Sequence, residues 1–309
     1  MIMLLMIEAA GLLCLAVALA GPVSAGLARA AWTTRDPRAG LVLWQAVGLG
    51  GGLGILGAGL TLAASTLDDR WLPGIAKLPG HLAGLGVAGW AGVGLTLTVG
   101  VWLAVVTQVS MTRVSLARRA HRQRLDAVAE ILDPEARATV PVGGVRLVDH
   151  PRAVAYCLPG LRPRVVVSRG ALTALDDGEL AAVLAHEHAH ARGRHDLVIQ
   201  PFIAWASTFP FLPTASRAVS AVELLVELLA DDAARRTCRP EDLRRALSDL
   251  APDHVTQSRH SDSALAFQLA ARASRLAAPP RPLPLAMRAL VYLAAVALIL
   301  LPPAVLLLS

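Results

Sequence analysis

Val183-Leu184-Ala185-His186-Glu187-His188-Ala189-His190-Ala191-Arg192 is the stretch from which the rest of the chain is read. It contains His186-Glu187-x-x-His190, and on a helix of about 3.6 residues per turn the two histidines stand one above the other. Two imidazoles one turn apart can share a single tetrahedral ion, and zinc is the ion this pattern suits. Glu187 then lies beside the metal, where a carboxylate can take a proton from bound water. The surroundings support a helix: Asp177-Gly178-Glu179 opens it, and Leu180, Val183 and Leu184 give it an apolar face. His188 points away from the His186/His190 face and reads as a bystander.

Outward from this helix, the chain is unusually apolar. Of its 309 residues 55% are hydrophobic and 17% charged, which excludes an ordinary soluble enzyme and points to a membrane protein. Charge is concentrated between residues 111 and 284, which hold 23 of the 29 basic and 19 of the 23 acidic side chains. A polar domain is thus inserted between apolar flanks: residues 1–110 as three transmembrane helices with short loops, 111–284 as the catalytic domain, and 285–309 as a fourth transmembrane helix. Cys14, Cys157 and Cys238 form neither a disulfide framework nor a Cys-x-x-Cys metal site. The net charge of +6 is dispersed, with no basic stripe joined to aromatics, so no direct nucleic-acid binding is expected.

The first span covers about 2–28. It lacks a basic n-region, so it reads as a retained helix rather than a cleaved signal. The second, about 41–67, is rich in glycine, and Gly50-x-x-x-Gly54 fits the small-residue pattern that lets helices approach closely. The third covers about 82–109 and the fourth about 289–308. Arg113, Arg118, Arg119, His121, Arg122 and Arg124 follow the third span as a basic collar. Positive flanks stay in the cytoplasm, so the 111–284 domain is expected inside, the 68–81 loop outside, and the protein in the plasma membrane as a multi-pass chain.

Within the polar domain, 116–132 reads as a helix with Leu116, Val128, Ile131 and Leu132 as its apolar contacts. Strands are expected over 141–147, 153–157 and 164–168, the last from its β-branched Val165-Val166-Val167 run. Such a small sheet offers an edge that holds a peptide by strand addition. A short helix over 170–175, the metal helix over 176–192, and helices over 218–237, 241–250 and 263–276 complete the domain. The stretch 197–215 is apolar but broken by Pro201, Pro210 and Pro213, and reads as a bent segment at the membrane surface rather than a hairpin through it.

Two histidines leave a catalytic zinc site one protein ligand short. His195, His254, His260, Glu223 and Glu227 are the downstream candidates. A His-x-x-Gly-x-x-His pattern counted from His190 finds Gly193 but then Asp196, with His195 one residue out of register. That leaves a glutamate on a second helix. Glu227 is favoured over Glu223 because Asp231 follows one turn later and can accept a bond from a ligand imidazole.

Arg164-Val165-Val166-Val167-Ser168-Arg169-Gly170-Ala171-Leu172, the 177–187 stretch and Glu227-Leu228-Leu229-Ala230-Asp231-Asp232-Ala233-Ala234 together resemble the BlaR/MecR-type membrane metalloproteases, relatives of the HtpX/Ste24-like gluzincins. The resemblance implies an α-helical multi-pass membrane protein with an inserted, mainly α, small-sheet (α+β) gluzincin-like domain. It implies one Zn2+ per chain held by His186, His190 and Glu227, Glu187 as catalytic base and Asp231 as orienter. It further implies cleavage of a cytoplasmic protein, a winged-helix repressor or the chain itself, after an external signal. The extracellular penicillin-binding domain of the antibiotic sensors is not expected here. Two alternatives stand beside that reading: an HtpX-like quality-control protease, and a metal-binding sensor or scaffold without hydrolytic activity.

Overall fold

A computed structural model of the chain describes residues 2–67, 71–131, 145–158, 164–254 and 262–308. In chain order, α1 (Ile2–Ala18) passes through a π-turn at Leu19–Val23 into α2 (Ser24–Ala28), followed by α3 (Trp32–Arg35), α4 (Pro37–Ala64), α5 (Trp71–Lys77) and α6 (Val87–Val128). Four strands come next: β1 (Glu130–Ile131), β2 (Val145–Val148), β3 (Ala155–Leu158) and β4 (Arg164–Ser168). The helices α7 (Arg169–Ala174), α8 (Asp177–Gly193), α9 (His195–Thr208) and α10 (Pro213–Ala234) lead to α11 (Pro240–His254), α12 (Asp262–Ala277) and α13 (Leu285–Leu308). The π-turn has a local cause. Pro22 brings no N–H to the helix ladder, and the Ser24 hydroxyl donates to the Leu19 carbonyl at 2.6 Å.

Two compact units result, the first comprising Met1–Val109, Ala204–Val219 and Leu283–Ser309. Among the described residues four helices are long and apolar enough to cross a membrane: Met3–Ala28, Pro37–Ala64, Val87–Ala127 and Leu285–Leu307. The protein is therefore a helical multi-pass membrane protein with an inserted mixed α+β domain. In the first unit α4 is the central helix, and its glycines set the close approaches. A Cβ on Gly50 would come within 2.6 Å of the Leu298 carbonyl oxygen, and one on Gly54 within 3.1 Å of that of Leu12. Gly59 and Gly92 bring α4 and α6 together in the same way. The contact order gives directions: Gly50 lies by Leu19 and Gly57 by Leu12, so α1 runs antiparallel to α4. Gly50 lies by Leu298 and Gly57 by Leu306, so α13 runs parallel to it. At the shared starting end of α4 and α13, Arg288 donates through Nε to Asp36 at 2.6 Å, while Asp36 also caps α4 by accepting from the Ala39 N–H.

The second unit comprises Ser110–Ile203 and Ser220–Pro282. Its sheet has the order β1-β2-β4-β3, with β2 and β4 parallel and the outer pairs antiparallel. The period of two in β4 divides its valines between faces. Val165 and Val167 join Leu180, Val183 and Leu184 of α8 and Ala246 and Leu250 of α11 in the main core. Val166 joins Leu125 of α6 and Leu158 on the other face. Each fully buried valine or leucine contributes roughly 1.5–3 kcal/mol of transfer free energy.

The structure corrects the reading of 116–132. No break separates the third span from that segment: α6 is one helix of 42 residues running through the basic collar. Hydropathy falls there, but Arg, Gln and Ala are good helix formers, so polarity changes without ending the helix. Leu116 is exposed, and Leu125 makes the core contact. Ile131 belongs to β1 rather than to the helix, and Leu132 lies outside the described residues. The 141–144 part of the first expected strand also lies outside them.

Candidate metal centre

The metal helix is held at both ends. At its start Asp176 accepts from the Glu179 N–H at 2.8 Å, and the Glu179 carboxylate accepts from the Asp176 N–H at 2.9 Å, a reciprocal capping box. Arg245 of α11 ties this turn down through Glu179 at 3.0 Å. At the other end Arg194, at φ 48°, terminates α8 in the left-handed region and donates its N–H to the His190 carbonyl. Between the caps, Leu180, Val183 and Leu184 are buried, which fixes the rotation of the helix and so the direction of both histidines.

Nε2 of His186 and Nε2 of His190 lie 3.0 Å apart. Glu227, from α10, places Oε2 at 3.3 Å from the first and Oε1 at 3.4 Å from the second. A tetrahedral ion with bonds of about 2.0–2.1 Å requires ligand separations of about 3.3 Å, so the three side chains fit such an ion. Among the described residues this triad is the group able to hold a metal. Glu223 lies outside the triad, and so does His195, whose Nδ1 is instead 3.0 Å from Nδ1 of His190. His260 and the side chain of His254 fall outside the described residues. His188 accepts no part in the triad: its Nδ1 contacts the Leu184 carbonyl at 2.7 Å.

Behind the triad, Asp231 is buried and sits 2.9 Å through Oδ1 from Nδ1 of His186. Arg272 of α12 was not visible in the sequence pattern. Its Nη2 and Nε donate to the two Asp231 oxygens at 2.7 and 2.9 Å, and its Nη1 lies 2.8 Å from Oε2 of Glu227. Arg275, one turn later, holds Asp232 in the same manner, so that acidic residue is paired rather than solvated. Counting formal charges, Glu187, Glu227 and Asp231 against Arg272 leave two negative charges, the complement of a divalent cation.

Burial and these partners shift the titrations of the metal-free site. Burial alone lowers the His186 imidazole, but its contacts with Asp231 and Glu227 outweigh it and raise the group to about 9. Burial, opposed by Glu227, holds His190 down at about 4, the neutral form in which imidazole ligates metals. Burial also lifts Glu187 to about 7, even though His186 and the backbone N–H of Cys157 favour its charged form. For Glu227 and Asp231 burial is again opposed, here chiefly by the Arg272 charge, and both end below the usual carboxylate range. A carboxyl beside the triad is a group able to take and return a proton.

Residues 119–229 match the model of peptidase family M48. That stretch contains His186, Glu187, His190 and Glu227 and ends before Asp231 and Arg272. A "Protease HtpX homolog" from Methanothermobacter thermautotrophicus is 32% identical over 91 residues, which are 29% of this chain and 35% of that protein. The match thus spans about a third of the relative's length. No solved structure matches the chain. The geometry and these similarities together give a stretch similar to peptidase family M48 and to an HtpX homolog, carrying a candidate His/His/Glu metal site, in a multi-pass membrane protein.

Proposed function

We propose that the chain is a membrane-embedded zinc endopeptidase of the HtpX-like kind, hydrolysing peptide bonds of proteins at or near the bilayer. The observation that carries this is the convergence of His186, His190 and Glu227 at tetrahedral spacing, with Glu187 on the same helix, inside the stretch similar to M48 peptidases. Zinc, when bound, supplies a Lewis acid and a water of lowered pKa.

The chain's own residues do the rest. Glu187 follows His186 on the helix but is rotated by about 100°, so it faces the reacting centre without displacing a ligand. It accepts a proton from the attacking water and returns it to the leaving amine. α8 packs against β3, and the Cys157 backbone N–H favours the charged form of the Glu187 carboxylate. Among the described residues β3 is an edge strand of the sheet. A substrate in extended form pairing with that edge would place its backbone beside Glu187, and this favours peptide over small-molecule substrates. The basic collar on α6 supports a cytoplasmic position for the domain.

Cleavage of a repressor after an external signal is the narrower reading, and it rests on the BlaR/MecR resemblance. Similarity to HtpX favours quality control instead. One experiment orders them: purified, zinc-loaded protein in lipid nanodiscs is offered a destabilised membrane protein and a folded winged-helix repressor. The quality-control reading expects cleavage of the first alone; cleavage of the repressor alone reverses the order.

A further inference from the structure

His195 lies five residues beyond His190, and a continuing helix would carry it about 140° away around the axis. The chain does not continue as a helix. Arg194 adopts the left-handed conformation at φ 48° and ψ 40°, α9 starts afresh at His195, and the reversal folds this imidazole back over His190. The two Nδ1 atoms are 3.0 Å apart, with ring centroids at 4.8 Å and planes at 86°. His195 is buried, with 8% of its surface exposed.

Two neighbours make this position specific. A Cβ on Gly193 would run into the His195 ring at Nε2 and Cδ2, so only glycine leaves space for it. Asp196 is anchored to Arg118 of α6 at 2.8 Å, which fixes the start of α9. The Asp196 charge is thereby taken up elsewhere, and the group that meets His190 is a neutral ring.

Both ligand histidines present Nε2 to Glu227 and keep Nδ1 behind them. His186 rests its Nδ1 on Asp231 at 2.9 Å. His190 rests its own on His195. An imidazole that gives Nε2 to a metal must carry its proton on Nδ1, and that proton needs an acceptor. From this geometry we infer that His195 is a positioning residue for His190: its Nδ1 lone pair receives the His190 Nδ1–H and fixes the tautomer and ring angle in which His190 holds the metal. The inference rests on the zinc-site reading above and deepens it. Electrostatics explains why an imidazole serves here where Asp231 serves the other ligand. The site already holds three carboxylates against one guanidinium, which a divalent cation neutralises, and a fourth carboxylate would leave it a net anion in a buried place.

The test uses the full-length protein in detergent with four variants: His195→Ala, His195→Asn, Gly193→Ala, and His188→Ala as control. Three quantities are read: melting of the metal-free protein, zinc affinity by competition with a chromophoric chelator, and the visible spectrum of the cobalt(II) form. His195→Ala is expected to weaken zinc binding about 10- to 100-fold and to shift the cobalt bands. His195→Asn, whose Oδ1 can stand where Nδ1 stood, should recover most of both. Gly193→Ala should copy His195→Ala by pushing the ring aside, and His188→Ala should match wild type. If His195→Ala fails to fold, the His195→Asn and Gly193→Ala pair still decides. Wild-type affinity and spectrum in His195→Ala, or an Asn variant no better than Ala, overturns the inference while leaving the zinc site standing. A wild-type protein that binds no zinc overturns both.

Discussion

Arg272 donates from Nη2 and Nε to the two oxygens of Asp231, at 2.7 and 2.9 Å, and both residues are buried. Forty-one residues apart, they join α12 to the back of the metal triad, because Asp231 in turn abuts His186 and Arg272 reaches Glu227. Removing one partner of a buried pair leaves the other charge uncompensated, at about 3–5 kcal/mol. Arg272→Ala is therefore expected to lower the melting temperature in detergent and to lose zinc. Arg272→Lys keeps the charge but not the planar fork, and should fall between Ala and wild type in zinc retention. Equal zinc content across the three proteins would remove Arg272 from the site's support.

The ligand assignment makes a separate prediction. His186→Ala, His190→Ala and Glu227→Gln should each lose most bound zinc in elemental analysis of the purified protein, since each removes one of three donors. Glu223→Gln should keep it. Near-stoichiometric zinc in any of the first three would displace that residue from the triad.

These two expectations mark what was legible in the sequence and what was not. The triad was legible because it is local twice over: His186 and His190 are one turn apart, and Glu227 and Asp231 are one turn apart on a second helix. Nothing local distinguishes Arg272 from other arginines of an amphipathic helix, since its partners lie more than 40 residues upstream. His195 was visible as a candidate ligand, but its position depends on a left-handed residue that is arginine rather than glycine, so the usual marker of a helix reversal is missing. β4 was legible from its β-branched run and β2 and β3 overlap expected strands, whereas β1 fell inside an expected helix and the continuity of α6 was hidden because hydropathy drops at a point where helix propensity does not.

Glycine packing on α4 can be tested by paired substitutions. Gly50 meets the Leu298 backbone of α13, whereas Gly52 has nothing within 4 Å of an added Cβ. Gly50→Leu should destabilise the bundle by about 1–3 kcal/mol, the range for overpacking, and Gly52→Leu should be close to neutral. Thermal melting in the same detergent separates them. Equal stability of the two variants would contradict the α4–α13 approach.

Orientation follows from the antiparallel and parallel packing around α4 only up to a choice of side, and the Arg/His collar supplies the side. A reporter fused near Arg122 should behave as cytoplasmic and one inserted near Gly74 as external. Single cysteines introduced at each end of α9 and labelled with a membrane-impermeant thiol reagent should both report the same side, because α9 is not among the helices long and apolar enough to span. The reverse reporter pattern would move the inserted domain to the other face of the membrane and exclude cytoplasmic substrates.

The central claim, that the triad and Glu187 form a hydrolytic centre rather than a structural metal site, is tested most directly by Glu187→Gln. Glutamine keeps the shape and reach of the side chain but is a very poor base, and it takes no ligand from the metal. Zinc content and a cleavage time course are measured on the same preparations of wild type and variant. The account predicts zinc equal to wild type and proteolysis slower by about 10²- to 10⁴-fold, the range for loss of a general base. Cleavage at the wild-type rate by a zinc-loaded Glu187→Gln protein would contradict it.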